Sequence, residues 1–194
     1  IDAVDYPNAR RINTKPMPSA GGLSIVIAFS IATLVFIPML TSTTAPIKSY
    51  LSYTLPVVGA GWIIALTGLI DDVKELSAKK KMIGILLAAS LVWFLTDFRL
   101  NDFKIPFGGP LLHFEPWLSY LLTVIWIVSI TNAVNLIDGL DGLVSGVSII
   151  SLVTMGIVSY FFLPVPNLFL TMTIFVLVAS IAGFFPFNYH PACA

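Results

Sequence analysis

Polar residues along this chain collect between long apolar stretches and do not alternate with them. Six apolar runs result, at 21–40, 53–70, 82–96, 117–131, 143–163 and 168–185. A helix rises ~1.5 Å per residue and a bilayer core is ~30 Å thick, so runs of this length predict membrane-spanning helices. The third and fourth are short for that task. They must borrow from their flanks, residues 77–81 before the third and 132–135 after the fourth. No internal repeat and no low-complexity linker divides the chain. The pattern predicts an all-α polytopic membrane protein with six transmembrane helices in one membrane-embedded domain over residues 1–194.

Composition agrees and excludes a soluble fold. Hydrophobic residues make up 57% of the chain and charged residues 10%, against roughly a quarter charged in soluble domains. Mean hydropathy is +0.95. Net charge is zero, which gives no reason to expect a nucleic-acid partner. The single cysteine, Cys193, excludes a disulfide framework and a metal–thiolate site. The first residues, Ile1 to Pro7, have neither the basic nor the apolar region of a signal peptide. A start at Ile rather than Met points to a piece of a longer chain.

Charge between the runs predicts orientation. Arg10, Arg11, Lys15, Lys74, Lys79, Lys80 and Lys81 fall on one side and Lys48, Arg99 and Lys104 on the other. The richer set belongs in the cytoplasm. Counting crossings then assigns segments 1–20, 71–81, 132–142 and 186–194 to the cytoplasmic face of the cell membrane. On the opposite side, the stretch 103–114 holds two short apolar segments around a Gly-Gly-Pro turn and suggests a small hairpin. Its prolines allow edge strands at most.

The chemistry concentrates in two polar clusters. In 132–143, Asn132, Asn135, Asp138 and Asp141 recur every third residue, with Gly139 and Gly142 among the carboxylates. That spacing keeps the side chains roughly on one side of a helix, drifting ~60° per step. The glycines loosen the backbone, so the segment can leave the helix and line a cavity. Carboxylate and amide oxygens are hard ligands suited to Mg2+, with Mn2+ an alternative. The plainer reading is a polar helix end with turn glycines. Asp71 and Asp72 form the second cluster. Adjacent carboxylates repel, and Lys74, a metal or a shared proton would relieve them; a pair of solvated acids is the plainer alternative. Arg10 and Arg11 can meet lipid or nucleotide phosphates or serve as topology anchors, and the anchor reading is the stronger one for Lys79–Lys81. His190 is an acid or base by residue type, whereas His113 lies on the wrong face and reads as structural. The four tryptophans read as packing or interface residues, Trp117 as a belt position.

In this order these stretches resemble the polyprenyl-phosphate N-acetylhexosamine-1-phosphate transferases, the family of the WecA-, TagO- and MraY-like enzymes. The match lies in Asp5-Tyr6-Pro7-Asn8 through Gly21-Gly22, in Gly68 to Asp72, in Asn132 to Leu143 and in Asn188-Tyr189-His190-Pro191-Ala192. The opening is similar to the WecA/TagO branch, which uses UDP-N-acetylglucosamine (UDP-GlcNAc). The MraY branch, which uses UDP-MurNAc-pentapeptide, is the alternative. The resemblance implies that a polyprenyl (undecaprenyl) phosphate attacks the sugar-bearing phosphorus of a UDP-sugar, with Mg2+ as cofactor and UMP as leaving group. This would be the first membrane step of cell-envelope glycan synthesis. It implies Asp71 as base, with Asp72, Asp138 and Asp141 also catalytic. It implies Asp72, Asn135 and Asp138 as metal ligands, and Asn132, Asn135, Arg10, Arg11, Lys74 and His190 on the substrates. A phospho-aspartate step stays open.

The family has ten or eleven spans, which makes this chain a fragment. The resemblance implies a span before Ile1, and after Ala192 a Gly-Asp segment with a further metal ligand and a His-rich loop. The isolated chain is therefore expected to be inactive. Asn13 stands where relatives carry His. Two rivals stay open, a transporter or channel subunit with acidic groups on a cation path and a non-catalytic membrane protein that kept the fold. Small residues also admit a homodimer.

Overall fold

Helix boundaries follow the backbone's hydrogen-bonding needs rather than the limits of hydrophobicity. The computed structural model describes residues 4–5, 17–18, 21–41, 47–74, 76–163 and 168–189. Near the start, β1 (Val4–Asp5) pairs antiparallel with β2 (Met17–Pro18). The first apolar run forms α1 (Gly21–Ile31), a π-helical segment (Ala32–Phe36) and α2 (Ile37–Thr41). Then come α3 (Ile47–Lys74), α4 (Ala78–Leu95), α5 (Pro116–Ile137), α6 (Leu143–Phe161) and α7 (Leu168–Asn188). The two short runs do borrow from their flanks, since α4 starts at Ala78 and α5 runs on to Ile137.

Among the described residues, five helical stretches are long and apolar enough to cross a membrane. The 18-residue α4 carries Lys79, Lys80 and Lys81 in its first turn and falls outside that set. It is nonetheless packed between α3 and α5. The chain is a polytopic helical membrane protein, as its hydropathy predicts.

The main helix contacts run α1 against α3, α3 against α4, α4 against α5, α6 against α7, and α7 back against α1, with only slight contact between α5 and α6. Small side chains let the backbones approach. Gly84 of α4 faces Thr67 of α3 so closely that an added Cβ would lie 2.3 Å from Thr67 Oγ1. Ala88 and Ala89 follow on α4 at 1% and 0% exposure. Polar links also cross between helices. Trp62 Nε1 donates to Ser30 Oγ at 3.0 Å, Ser90 and Tyr120 share a bond at 2.9 Å, and so do Ser159 and Thr171 at 3.0 Å. In lipid each such bond contributes ~0.6 kcal/mol, with the apolar packing carrying the rest.

The predicted hairpin is present. Strands β3 (Asp102–Lys104) and β4 (Leu111–His113) pair antiparallel, Phe103 opposite Leu112, with Pro106 and Pro110 in the connecting turn. Its base is tied to α5: Leu100 N–H donates to Thr123 Oγ1 at 3.0 Å, and Ser119 Oγ donates to Asn101 Oδ1 at 3.0 Å. His113 contacts Asp102 on this hairpin, in keeping with its structural reading.

Antiparallel neighbours put the two acidic turns at one end. The N-terminus of α1, the C-termini of α3, α5 and α7, and the N-termini of α4 and α6 share that end. Ion pairing of Asp71 with Lys81 at one end of α3 and α4, and of Tyr53 with Asp97 by hydrogen bond at the other, fixes their opposed directions.

Candidate active site at the polar end of the helices

Two turns build the site. The first joins α3 to α4 and is stitched by Asp71. One carboxylate oxygen, Oδ1, accepts the Leu76 N–H at 2.8 Å, and the other pairs with Lys81 Nζ. The sequence offered Lys74 as the cation nearest in the chain, and an anchor reading for Lys79–Lys81. In the structure Lys81 meets Asp71, because the first turn of α4 comes back over the end of α3. Lys74 is exposed at the last turn of α3. Asp72 is exposed beside Asp71.

Three lysines in the first turn of α4 oppose that helix's own dipole, whose N-terminus is already positive. Helix stability does not explain them. Together with the N-terminal N–H groups they make this corner attractive to anions, phosphate above all.

The second turn ends α5. Asn132 lies inside the helix and returns its Nδ2 to the Val128 carbonyl at 2.8 Å, and Asn135 is exposed one turn later. The helix then stops at Asp138, whose φ −74° and ψ 60° are those of an inverse γ-turn. Gly139 N–H donates to the Ile137 carbonyl at 2.8 Å to close it. Gly142, at φ +73°, takes the left-handed conformation that turns the chain into α6. The segment thus leaves the helix where the carboxylates come. Asp138 is solvent-accessible yet partly desolvated by its surroundings, and that desolvation raises its pKa above the ordinary carboxylate value.

The end of α7 lies against this second turn. Asn188 Nδ2 donates to Ser145 Oγ at 3.0 Å, and a Cβ on Gly142 would sit 3.4 Å from the Asn188 carbonyl. An added Cβ on Gly21, at the start of α1, would meet the Phe184 ring of α7 at 2.5 Å. Stretches 21–22, 132–143 and 188–189, remote in sequence, therefore adjoin through α7. The Asp71–Asp72 turn lies at the same end, reached from α5 across α4 and from α7 across α1. Arg10, Arg11 and His190 lie outside the described residues, as does position 13. Ser145 and Lys81 were missed by sequence reasoning. No local signal marks Ser145, whereas a lysine run in the first turn of a helix, against its dipole, does mark Lys81.

Similarity to known proteins now bears on the same residues. The family model for glycosyl transferase family 4 matches residues 54–193 and so takes in both turns. The chain belongs to glycosyl transferase family 4. It is 39% identical over 193 residues to a probable undecaprenyl-phosphate N-acetylglucosaminyl 1-phosphate transferase of Bacillus subtilis (strain 168), covering 99% of this chain and 49% of the relative. It is 35% identical over 109 residues to a decaprenyl-phosphate N-acetylglucosaminephosphotransferase of Mycolicibacterium smegmatis (strain ATCC 700084 / mc(2)155), covering 55% of this chain and 26% of that relative. The chain thus spans about half the length, or less, of the curated relatives it matches. No solved structure matches it.

Whether Mg2+ suits this site turns on the donor set. Among the described residues, no three His, Cys, Asp or Glu side chains converge as a closed metal cage. Mg2+ rarely uses one; it takes one or two carboxylates and fills its shell with water and substrate phosphate. Asn135 and Asp138, one helical turn apart, with Asp141 in the same turn, fit that partial set. The uncompensated cost of ionising Asp138 fits it too, since a bound cation would offset that cost.

Proposed function

We propose that this chain forms the core of a membrane enzyme that moves N-acetylglucosamine-1-phosphate from UDP-GlcNAc to a polyprenyl phosphate, of which undecaprenyl phosphate is the bacterial candidate. The chief support is the 39% identity maintained along 193 residues to the Bacillus subtilis relative. The clustering of the polar stretches at one end of the helices adds to it. The excess of basic residues beside that end favours the cytoplasmic face.

In the proposed reaction an oxygen of the carrier phosphate attacks the sugar-bearing phosphorus. The bond from that phosphorus to the bridging oxygen of UMP breaks, and UMP departs with the electron pair. Two anions must be held together, so positioning and charge compensation matter more than covalent help. Lysines 79–81 and the N-terminus of α4 draw phosphate to the α3–α4 corner. Asp71, oriented by Lys81 and the Leu76 N–H, takes the proton of the carrier phosphate when that phosphate arrives protonated; Asp72 serves as its electrostatic partner. Asn135, Asp138 and Asp141 would hold Mg2+, with Asn132 shaping the wall; Asp72, on the other turn, does not converge with Asp138 and Asp141 and is left out of the metal set. When bound, the metal supplies charge neutralisation along the diphosphate. Arg10, Arg11, Lys74 and His190 complete the proposed substrate contacts.

The test is UMP release by the full-length protein given UDP-GlcNAc and undecaprenyl phosphate, with UDP-MurNAc-pentapeptide as the control substrate. Release with UDP-GlcNAc and not with the control is expected. Asp71→Asn and Asp138→Asn should each lower turnover by roughly 10²- to 10⁴-fold. Absence of release from the unaltered protein, with Mg2+ and both substrates supplied, overturns the proposal.

A further inference from the structure

At the end of the helices remote from the acidic turns, α3 and α4 separate around a cleft of about 300 Å³ lined by Tyr53, Phe94, Leu95, Asp97 and Arg99 among others. It plays no part in the chemistry above. Its volume is at the lower limit for small-molecule sites and suits a headgroup rather than a whole lipid.

The two charges in the cleft are fixed by neutral partners. The Tyr53 hydroxyl donates to Asp97 Oδ2 at 2.9 Å. Arg99 Nε donates to the Trp93 carbonyl at 3.0 Å, and its guanidinium lies 4.6 Å from the Trp93 ring centroid. The residues are two apart in sequence, yet no ion pair joins Asp97 to Arg99. A carboxylate and a guanidinium are thus held ready side by side, each with hydrogen-bonding capacity to spare. Phe94 and Leu95, 62% and 59% exposed, continue the cleft along α4 as an apolar surface.

A ligand that satisfies this arrangement carries an anion for the guanidinium, a cation with N–H donors for the carboxylate, and apolar chains for Phe94 and Leu95. We propose that the cleft binds a phospholipid with a primary-ammonium headgroup, of the phosphatidylethanolamine type. The phosphate takes the Nη donors of Arg99 and the ammonium donates to Asp97. Phosphatidylcholine has the same charges but no N–H donor, and phosphatidylglycerol has no cation. Those differences give the site its selectivity.

The experiment is native mass spectrometry of the full-length protein in detergent, titrated with each of the three lipids, alongside thermal unfolding with the same lipids. Phosphatidylethanolamine should be retained roughly tenfold better than the other two, the difference one charge-assisted hydrogen bond makes, and should raise the unfolding temperature most. Asp97→Asn should abolish the preference for ethanolamine over choline. Arg99→Gln should weaken all three lipids. Equal retention of the three by the unaltered protein, or a preference for phosphatidylglycerol, overturns the proposal without recourse to any variant. So does an ethanolamine preference that survives Asp97→Asn, or binding indifferent to Arg99→Gln.

Discussion

A carboxyl group partly shielded from water, with no cation beside it among the described residues, holds its proton more tightly than it would in the unfolded chain. Asp138 is such a group, and its raised pKa has a sign that stability measurements can read. Below the ordinary carboxylate pKa of about 4, folded and unfolded chains are both protonated. As pH rises through that value toward the higher folded one, the unfolded chain ionises first and the folded state loses stability. Asp138→Asn should remove this loss, so thermal unfolding followed upward from about pH 4 should show a flatter profile for the variant than for the parent. At neutral pH the variant should be as stable or more so, even as turnover falls. Lys81 gives a second residue-level test. Its pair with Asp71 is partly exposed, so Lys81→Gln should cost at most ~1 kcal/mol in stability. If Asp71 must be oriented to work, the same change should depress UMP release well beyond Lys79→Gln, a comparison that cancels the loss of one positive charge.

Elements pack where small side chains permit, and the α3–α4 pair has the narrowest tolerance. Thr67 is held in its rotamer by its hydroxyl's bond to the Ile63 carbonyl at 2.7 Å, directly opposite Gly84. Gly84→Val should force the helices apart at a cost of about 1–3 kcal/mol. It should also disturb the Asp71–Lys81 pair one helical turn away. Combining it with Thr67→Ala should recover part of the loss, as unfolding in detergent would report. After α1 the chain widens into a π-helix, and the Thr33 carbonyl there accepts the buried Tyr50 hydroxyl at 3.0 Å. Tyr50→Phe should therefore lower stability by about 1 kcal/mol.

Across the whole molecule, how much was legible follows from where the signal resides. Apolar runs betray helices, so the six runs, their antiparallel order and the gathering of polar stretches at one end could all be read from the chain. Helix ends could not. The fourth run loses its apolar character at Thr131, yet α5 carries Asn132 and Asn135 before stopping at Asp138, because backbone hydrogen bonding and the glycines after it set the stop. The hairpin was readable from its turn residues. The Asp71–Lys81 pair was not, because it depends on how one helix folds back on another. Nor was the contact of Asn188 with Ser145, which joins positions 43 residues apart.

The hairpin tip offers a handle of a different kind. Phe107 is fully exposed at φ +61°, next to Gly108 at φ +86°, while the strands behind them are anchored to α5. A tip that touches nothing and is already strained gives up no contact when it is opened. Such tips are where chains accept foreign sequence. An epitope tag inserted between Phe107 and Gly108 should leave the full-length protein folded and should be stained by antibody on cells whose membranes are intact. Staining that appears only after permeabilisation would place the acidic turns on the outside of the cell, where no UDP-sugar could reach them.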